Sequence, residues 1–495
     1  MNNALQFPSS SVSVRTWWSR VIFWAVVLFC LAHVVITFGW VFAPGLDEYR
    51  EWADAEAALT IFGQNGPYAD GYHTGIYLYG LLYPLLGGAL HFLFHGDILV
   101  ELRLLSYALT WLTALFAAHM LLQRTGKTWI AALGCALCLV ADWHGVTGSA
   151  ISAPLGSLLL LAAISAANRR RPVTAALLTV LGFFVKPYFV AIYLPLQIYF
   201  FLHRRRDALC YFAACLLAGI AIALAVKIVY PYYFVYNVVH HLNAAIRDPF
   251  HLLKQANIVV LLFAPLFVLG IVRLARQRRI ALTDATGLSA IFLWIVWLRL
   301  GMHAGAFMSY TYHLCLPPLV VFALAFLPDL KRRWRVLYAV WIFVAGLIVG
   351  SCWHNLPVYK AAYKTNQQQI MQDFFPEGDD YSRAACLTPS LARFAVQRGV
   401  PVVDNGMWGY VPSLNSTRRA VLFLFPEVRD LRYRAQTFEP SLHEAIAEHR
   451  WDVVYTDAFY CIVREEEMLR AGYTKHEGEI QLDPRHRIKV FRWTL

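Results

Sequence analysis

Charge is what this chain has little of. Asp, Glu, Lys and Arg together make up 15% of its 495 residues, against about 25% in an ordinary soluble protein. With 59% apolar residues beside it, that scarcity excludes a disordered chain, a collagen-like repeat and a disulfide-dense secreted scaffold. The phosphate-cradling GxxxxGKS/T, the dinucleotide-binding GxGxxG and the metalloprotease HExxH are absent as well. Direct nucleotide-driven transport thereby loses its simplest support. There is no solenoid repeat and no low-complexity tract. The nine cysteines fall mostly in apolar runs, and Cys135-x-x-Cys138 lies on such a run, where packing accounts for it better than zinc or redox chemistry. Cys386 and Cys461, nearer the C-terminus, can form one disulfide if the compartment is oxidising.

What the chain has instead is long apolar stretches, a mean hydropathy of +0.49 and 15% aromatic residues. These point to a membrane protein with two interfaces to line. The net charge of +12 sits in short clusters between the apolar runs: Arg15 and Arg20; Arg124 and Lys127; Arg169 to Arg171; Arg204 to Arg206; Arg273, Arg276, Arg278 and Arg279; Lys331, Arg332, Arg333 and Arg335. These carry 18 basic residues against Asp207 and Asp329, a net of +16, whereas residues 354–495 hold 18 basic and 18 acidic residues. Short basic loops of this kind mark the cytoplasmic face. A nucleic-acid partner would need the charge gathered on one folded surface with stacking aromatics beside it, and here it is scattered over six loops.

The expected architecture is an α-helical polytopic membrane protein with about nine to eleven transmembrane helices, followed by a small C-terminal extracytoplasmic α/β domain. The membrane part is residues 1–353 and the outer domain residues 354–495, with residues 44–99 as the first outer loop. Val21–Ala43 leaves the cytoplasm after Arg20, too long a run for a signal peptide and without a cleavage site. Trp52, Ala55, Leu59 and Phe62 recur at helical spacing in the acidic loop that follows and suggest a short amphipathic helix at the interface. Ile76–His95, with Gly80, Pro84, Gly87 and Gly88, is expected to be re-entrant or interface-lying, since a full span there would put Arg124 on the wrong side. Val173–Leu202 carries a basic triplet at each end. A pair of short helices meeting at Lys186-Pro187 places both triplets on the cytoplasmic face, because proline disfavours a helical conformation in the residue before it. In residues 354–495, helices at Leu391–Arg398 and Leu442–His449 alternate with strands at Val400–Val403 and Val453–Thr456, and a final strand follows at Lys489–Trp493.

A few charges are not explained by topology. Asp47 and Glu48 stand just beyond the first span, where partial desolvation raises a carboxylate pKa and suits a general base; a solvated acidic loop is the plainer reading. Lys186 falls at the outer turn of an apolar hairpin, where an ammonium is costly to bury and is expected to meet an anion such as a lipid phosphate, unless it snorkels to the interface. Arg103 with Glu101, and Arg299 with His303, lie near outer helix ends and fit either function or a local ion pair. Asp142-Trp143-His144 offers one carboxylate and one imidazole, a poor metal site. His240 and His241 have no carboxylate at ligand spacing, and interface aromatics (Tyr230, Tyr232, Tyr233, Tyr236) explain their loop better. Asn415-Ser416-Thr417 reads as a glycosylation sequon and is weak evidence of anything.

The order of these pieces resembles a known family. It comprises an Asp-Glu at the exit of the first span, the run Tyr77-Leu78-Tyr79-Gly80-Leu81-Leu82-Tyr83-Pro84, and a Lys-Pro hairpin between basic triplets. Gly305-Ala306-Phe307-Met308-Ser309-Tyr310 then leads toward Leu316-Pro317-Pro318, and an outer C-terminal domain closes the chain. This is similar to the GT-C superfamily of membrane glycosyltransferases, in particular the branch with protein O-mannosyltransferases and the lipid A aminoarabinose transferase. The resemblance implies a polyprenyl-phosphate-linked sugar as donor, a glycan, lipid or protein as acceptor, and reaction on the outer face of a bacterial inner membrane, with the N-terminus cytoplasmic. It implies Asp47 as base with Glu48 assisting, and Arg103, Lys186 and Arg299 at the donor phosphate. Tyr79, Tyr83, His73, Asp142, His303 and Tyr310 would line the substrate groove. Family members often show proline where this chain has Leu81, and a second acidic pair where it has only Asp142, which puts a divalent metal in doubt. The competing class is a lipid-linked substrate flippase or secondary transporter, which also uses broken helices and membrane-depth charges. No two-fold repeat of the hydropathy pattern supports it.

Overall fold

The computed structural model describes residues 12–42, 49–63, 77, 79–145, 150–239, 251–277, 283–300, 310–331, 333–338, 341, 366, 368–403, 440–458, 463–481 and 487–495; at 12–19, 36, 40, 49–50, 140–145, 238–239, 251–263, 297–300 and 310–312 the description is of the backbone alone. Up to residue 341 the described residues are mainly helical: α1 (Val12–Val41), α2 (Tyr49–Thr60), α3 (Leu82–Phe94), α4 (Ile98–Thr125), α5 (Thr128–Gly145), α6 (Ala153–Asn168), α7 (Pro172–Val185), α8 (Tyr193–His203), α9 (Arg205–Val229), α10 (His251–Arg276), α11 (Ala285–Leu300) and α12 (Leu316–Leu324). Among the described residues, three helices are long and apolar enough to cross a membrane, within α1, α4 and α9. Shorter apolar helices pack around them.

Local chemistry sets the ends of the helices that matter for function. Asp97 caps α4, its carboxylate accepting from Leu99 N at 3.0 Å, and Gly126 ends it in the left-handed region at φ 62°. α7 opens on Pro172, where a missing N–H costs nothing, and stops at Lys186, which is extended at φ −152° and ψ 135° ahead of Pro187. A 3-10 turn at Pro187–Ile192 then leads into α8. The turn docks on α6 because Gly156 leaves room for the Phe189 ring, which a Cβ there would overlap. The two helices do return to one level: Arg170, at the start of the hairpin, faces Tyr199, one turn from its end.

The loops that carry the basic clusters meet at this end. Arg124 donates to both oxygens of Asp284, at 2.5 and 2.8 Å, and to Thr286 Oγ1 at 2.6 Å. Asn168 donates to the same hydroxyl at 3.0 Å and accepts from Ala285 N at 3.1 Å. Gln277 reaches Asp329 at 2.8 Å. The ends of α4 and α6 and the start of α11 are thus stapled together, the end of α10 is tied to the turn after α12, and the basic clusters at 124, 169–171, 204–206 and 273–276 share one end of the bundle.

α3 has 13 residues and rises about 20 Å, short of the ~30 Å hydrocarbon core. It packs through Tyr83, Pro84, Gly87 and Gly88, the two glycines admitting Ala58 and Ile61 of α2. α2 is helical where the spacing predicts, but it presents a different face. Leu59 and Phe62 are exposed, while Glu51, Trp52, Ala53, Asp54, Ala55, Ala57 and Ala58 are buried. It is an internal strut with small residues on two sides, not a helix lying on a surface.

The C-terminal sheet has strand order β1-β2-β4-β3, from β1 (Ala384–Cys386), β2 (Val453–Asp457), β3 (Thr474–Gln481) and β4 (Arg487–Thr494); β1 and β2 are parallel and the other pairs antiparallel. The expected strand at 400–403 is reduced to a parallel bridge between Val402 and Cys386. Two strands escape sequence reading for opposite reasons: β1 is only three residues long, and β3 (TKHEGEIQ) is an edge strand with little apolar alternation. A helix, α13 (Pro389–Gln397), lies between this sheet and α2, and Arg393 reaches Asp97 at 2.5 Å. The expected boundary at 353/354 lies outside the described residues.

Candidate active site

Along α4, Arg103 stands 21 residues before Arg124, a rise of about 31 Å, or one hydrocarbon thickness. The residues around Arg103 therefore occupy the opposite end of the bundle from the basic clusters. Arg103 itself is fully buried. Its Nε donates to Glu51 Oε1 at 2.9 Å and its Nη2 to Glu51 Oε2 at 2.7 Å, a fork-on-fork pairing that only arginine makes. Glu51 Oε1 also accepts from Ala150 N, which leads into α6, at 2.6 Å. Glu101, the carboxylate two residues from Arg103, pairs elsewhere: with His91 Nδ1 at 2.8 Å and Gly96 N at 2.7 Å.

One turn along α2 from Glu51, the buried Asp54 accepts a hydrogen bond from the Tyr77 hydroxyl. The chain then passes directly over the end of α7. Gly80 N donates to Val185 O at 3.1 Å, and a Cβ at Gly80 would overlap the carbonyl oxygens of Phe184 and Val185. This close approach sets Tyr79 against Lys186, whose ammonium lies 4.6 Å from the ring centroid. Lys186 is 6% exposed, so it does not snorkel. The negative face of the phenol ring stabilises the cation without neutralising it. His313, buried in a π-turn at Tyr310–Cys315, has Lys186 as its charged neighbour. Its carbonyl accepts from Ser157 Oγ of α6 at 2.6 Å.

Of the residues singled out in the sequence, the structure brings Tyr79 and Lys186 together and gives Arg103 a partner 52 positions away in the chain. Tyr83, expected to line a groove, is fully buried and donates to Leu102 O at 2.9 Å; it braces α3 on α4. The tyrosines expected at the interface are also inside. Tyr232, Tyr233 and Tyr236 are buried, Tyr233 stacks on Phe184 at 5.9 Å, and Tyr230 donates to Ile61 O at 2.8 Å. They fill the space between α2, α7 and α9. Asp47, Glu48, His73, His240, His241, His303, Asn415 to Thr417 and Cys461, and the side chains of Asp142, His144, Arg299 and Tyr310, lie outside the described residues. Cys386 is buried, its Sγ donating to Thr388 O at 3.2 Å. Among the described residues no group of three or more His, Cys, Asp or Glu side chains is placed to hold a metal ion.

Sequence reading missed Glu51, Asp54, Tyr77 and His313. The first two read as members of a solvated acidic loop; the signal that separates them is their spacing of three on a helix otherwise rich in alanine, which puts both carboxylates on adjoining faces of a packed element.

No family model matches the sequence, and no curated protein is similar to it in sequence. The fold is shared. A crystal structure of ArnT from Cupriavidus metallidurans bound to undecaprenyl phosphate is similar over 94% of this chain and 97% of that one, with a TM-score of 0.64 and 14% identity. A crystal structure of the Archaeoglobus fulgidus oligosaccharyltransferase, tethered to an acceptor peptide containing the NVT sequon, is similar over 94% of this chain and 73% of that one, with a TM-score of 0.50 and 12% identity. Both are GT-C glycosyltransferases. The resemblance read from the order of motifs is therefore found again in the fold.

Proposed function

We propose that this protein is an integral membrane glycosyltransferase that moves a sugar from a polyprenyl-phosphate donor to an acceptor at the end of the bundle holding Glu51, Arg103 and Lys186. The observation that carries the reading is Lys186: a buried ammonium at a broken helix end, set against an aromatic ring, in a fold shared with a protein crystallised with undecaprenyl phosphate. By the positive-inside rule the opposite, basic end is cytoplasmic, so the reaction faces outward. In a bacterial inner membrane the N-terminus is then inside and the C-terminal domain in the periplasm, after nine crossings and one hairpin.

The chemistry follows from the donor. A sugar on a lipid phosphate carries its own leaving group, so no nucleotide need reach the outer compartment. Asp47, assisted by Glu48, takes the proton of the acceptor hydroxyl as its oxygen attacks the anomeric carbon. The bond from that carbon to the phosphate oxygen breaks, and polyprenyl phosphate leaves with the electron pair. The charge that develops on it is met by Lys186, with Arg299 as the second cation. Attack from the face opposite the departing phosphate inverts the anomeric carbon. His73, Tyr79, Asp142, His303 and Tyr310 line the approach for sugar and acceptor, which is a glycan, a lipid or a protein.

The test is turnover of a panel of polyprenyl-phosphate sugars by purified full-length protein, wild type against Asp47→Asn. Sugar release or transfer is expected in the wild type and lost in the variant. Turnover that persists unchanged in Asp47→Asn would sink the assignment of the base, and solute flux into liposomes without any donor would place the protein among carriers instead.

A further inference from the structure

The Glu51–Arg103 pair is built in a way that a fold-stabilising contact does not require. Burying two charges costs several kcal/mol of solvation per ion, and an apolar pair of similar volume often stabilises a core at least as well. What an ion fork adds is geometry: two parallel N–H···O bonds fix distance and angle together. Here the fork joins elements that are far apart in sequence. Arg103 belongs to α4, Glu51 to the first turn of α2, and the same carboxylate holds Ala150 N at the entry to α6.

Those elements are the ones that anchor the carboxylate-bearing segments. Asp47 lies four residues before Glu51, so chain connectivity keeps its Cα within about 14 Å of the Glu51 Cα. Asp142 lies on the chain that enters α6 through Ala150. From the next turn of α2, Asp54 holds Tyr77, and through Gly80 on Val185 the same segment sets Tyr79 on Lys186. One short helix thus links the loop of the base to the cation for the phosphate, and its position is set at its first turn by Arg103.

We propose that Glu51 and Arg103 are positioning residues for transfer: the fork holds α2 so that the first outer loop presents its carboxylate at the correct distance from the sugar bound at Lys186, without either residue touching substrate. This rests on the function proposed above. It replaces direct phosphate binding by Arg103 with an indirect role, and the two differ in what they do to kcat and KM. A displacement of about 1 Å in a reacting group can cost on the order of 100-fold in rate, whereas loss of a ground-state phosphate contact raises KM.

The experiment uses full-length protein in detergent with a polyprenyl-phosphate sugar as donor and polyprenyl phosphate itself as the binding probe. Arg103→Lys keeps the charge and removes the fork. Glu51→Asp keeps the carboxylate and shortens its reach, and serves if Arg103→Lys does not fold. Rates are normalised to the protein that binds radiolabelled polyprenyl phosphate, which cancels any loss of folded material. The expected result is a normalised kcat at least about 30-fold lower, with donor KM within about 3-fold of wild type. A normalised kcat equal to wild type would reduce the pair to a structural contact. A donor KM raised 10-fold or more at unchanged kcat would make Arg103 a phosphate ligand after all. Either overturns the proposal while leaving the glycosyltransferase reading intact. Absence of donor turnover in the wild type would instead overturn that reading, and the positioning role with it.

Discussion

α4 carries an arginine–carboxylate fork at each end, and the two differ in everything but chemistry. At Arg103 both partners are fully buried; at Arg124 the arginine is 22% and the aspartate 14% exposed. The Arg124 fork draws in Thr286, Asn168 and Ala285, all at helix ends, and it sits where the cationic loops gather. The Arg103 fork sits beside the acidic α2 and, through Asp54 and Tyr77, one segment away from Lys186. The same kind of pairing thus stands in two different surroundings, through Nε and Nη2 at Arg103 and through both Nη atoms at Arg124. The Arg124 fork ties helix ends together; on the function proposed above, the Arg103 fork locates reacting groups.

If that division is real, replacing groups at the outer end changes rates and replacing them at the inner end changes stability. The largest expected effect is Lys186→Ala. Removing a cation aimed at a departing phosphate costs on the order of 100- to 1,000-fold in rate, as for other groups placed to meet developing charge. Initial rates of sugar release on protein whose melting temperature matches the wild type would read it. A variant with full activity would leave Lys186 a structural cation packed on the Tyr79 ring.

Lys186 also shows where sequence reading succeeds. Its helix break is written in two adjacent residues, because proline constrains its predecessor locally, and the basic triplet at each end of the hairpin places both ends at one level. Arg103 shows where reading fails. The nearest carboxylate in sequence, Glu101, is two positions before it and points to another face of the helix; the true partner lies on α2, whose burial depends on its own alanines and on the glycines of α3. A pattern of apolar spacing could place α2 but not its buried face, since alanine carries little hydropathic signal and Leu59 and Phe62 carry more. The same limit hid the tyrosines at 232, 233 and 236: aromatic residues near a helix end read as an interface belt, and only tertiary packing shows them inside. The edge strand β3 was missed because half of an edge strand's surroundings is water.

At the inner end, Arg124→Ala is expected to lower stability by about 3 kcal/mol, the low end for breaking a buried pair, with turnover per folded molecule unchanged. Thermal unfolding in detergent and donor turnover would be measured together; a rate loss without a stability loss would reverse the contrast between the two forks. The same pair makes a pH prediction. Burial opposes the charge on Asp284, but the Arg124 guanidinium more than offsets it, so the carboxyl sits below its ordinary range. A lowered folded pKa means stability that is present above the unfolded value of about 4 and is lost as pH falls through the folded one. Asp284→Asn is therefore less stable than wild type at neutral pH, and the difference narrows below about pH 4.

Gly80→Ala tests the outer end without touching a charge. The added methyl meets the carbonyls of Phe184 and Val185, so the segment must lift off the end of α7 and take Tyr79 away from Lys186. Overpacking of this kind costs about 1–3 kcal/mol. Donor KM should rise at the same time, because the cation loses its ring. An unchanged KM with lowered stability would show that the Tyr79–Lys186 contact is incidental to the donor.

The smallest effect belongs to the contact between the two parts of the chain. Arg393 of α13 pairs with Asp97, whose side chain is 36% exposed, and an ion pair with one solvated partner contributes about 0.2–1 kcal/mol. Asp97 keeps its capping bond to Leu99 N in Arg393→Ala, so α4 and the Arg103 fork should hold and the rate should stay at the wild-type value. What should change is the docking of the C-terminal sheet over α2, seen as faster proteolytic cleavage between the bundle and the sheet at equal global stability. A fall in normalised kcat here would mean that the outer domain also sets the position of α2, since α13 packs on the same helix that Arg103 holds from the other side.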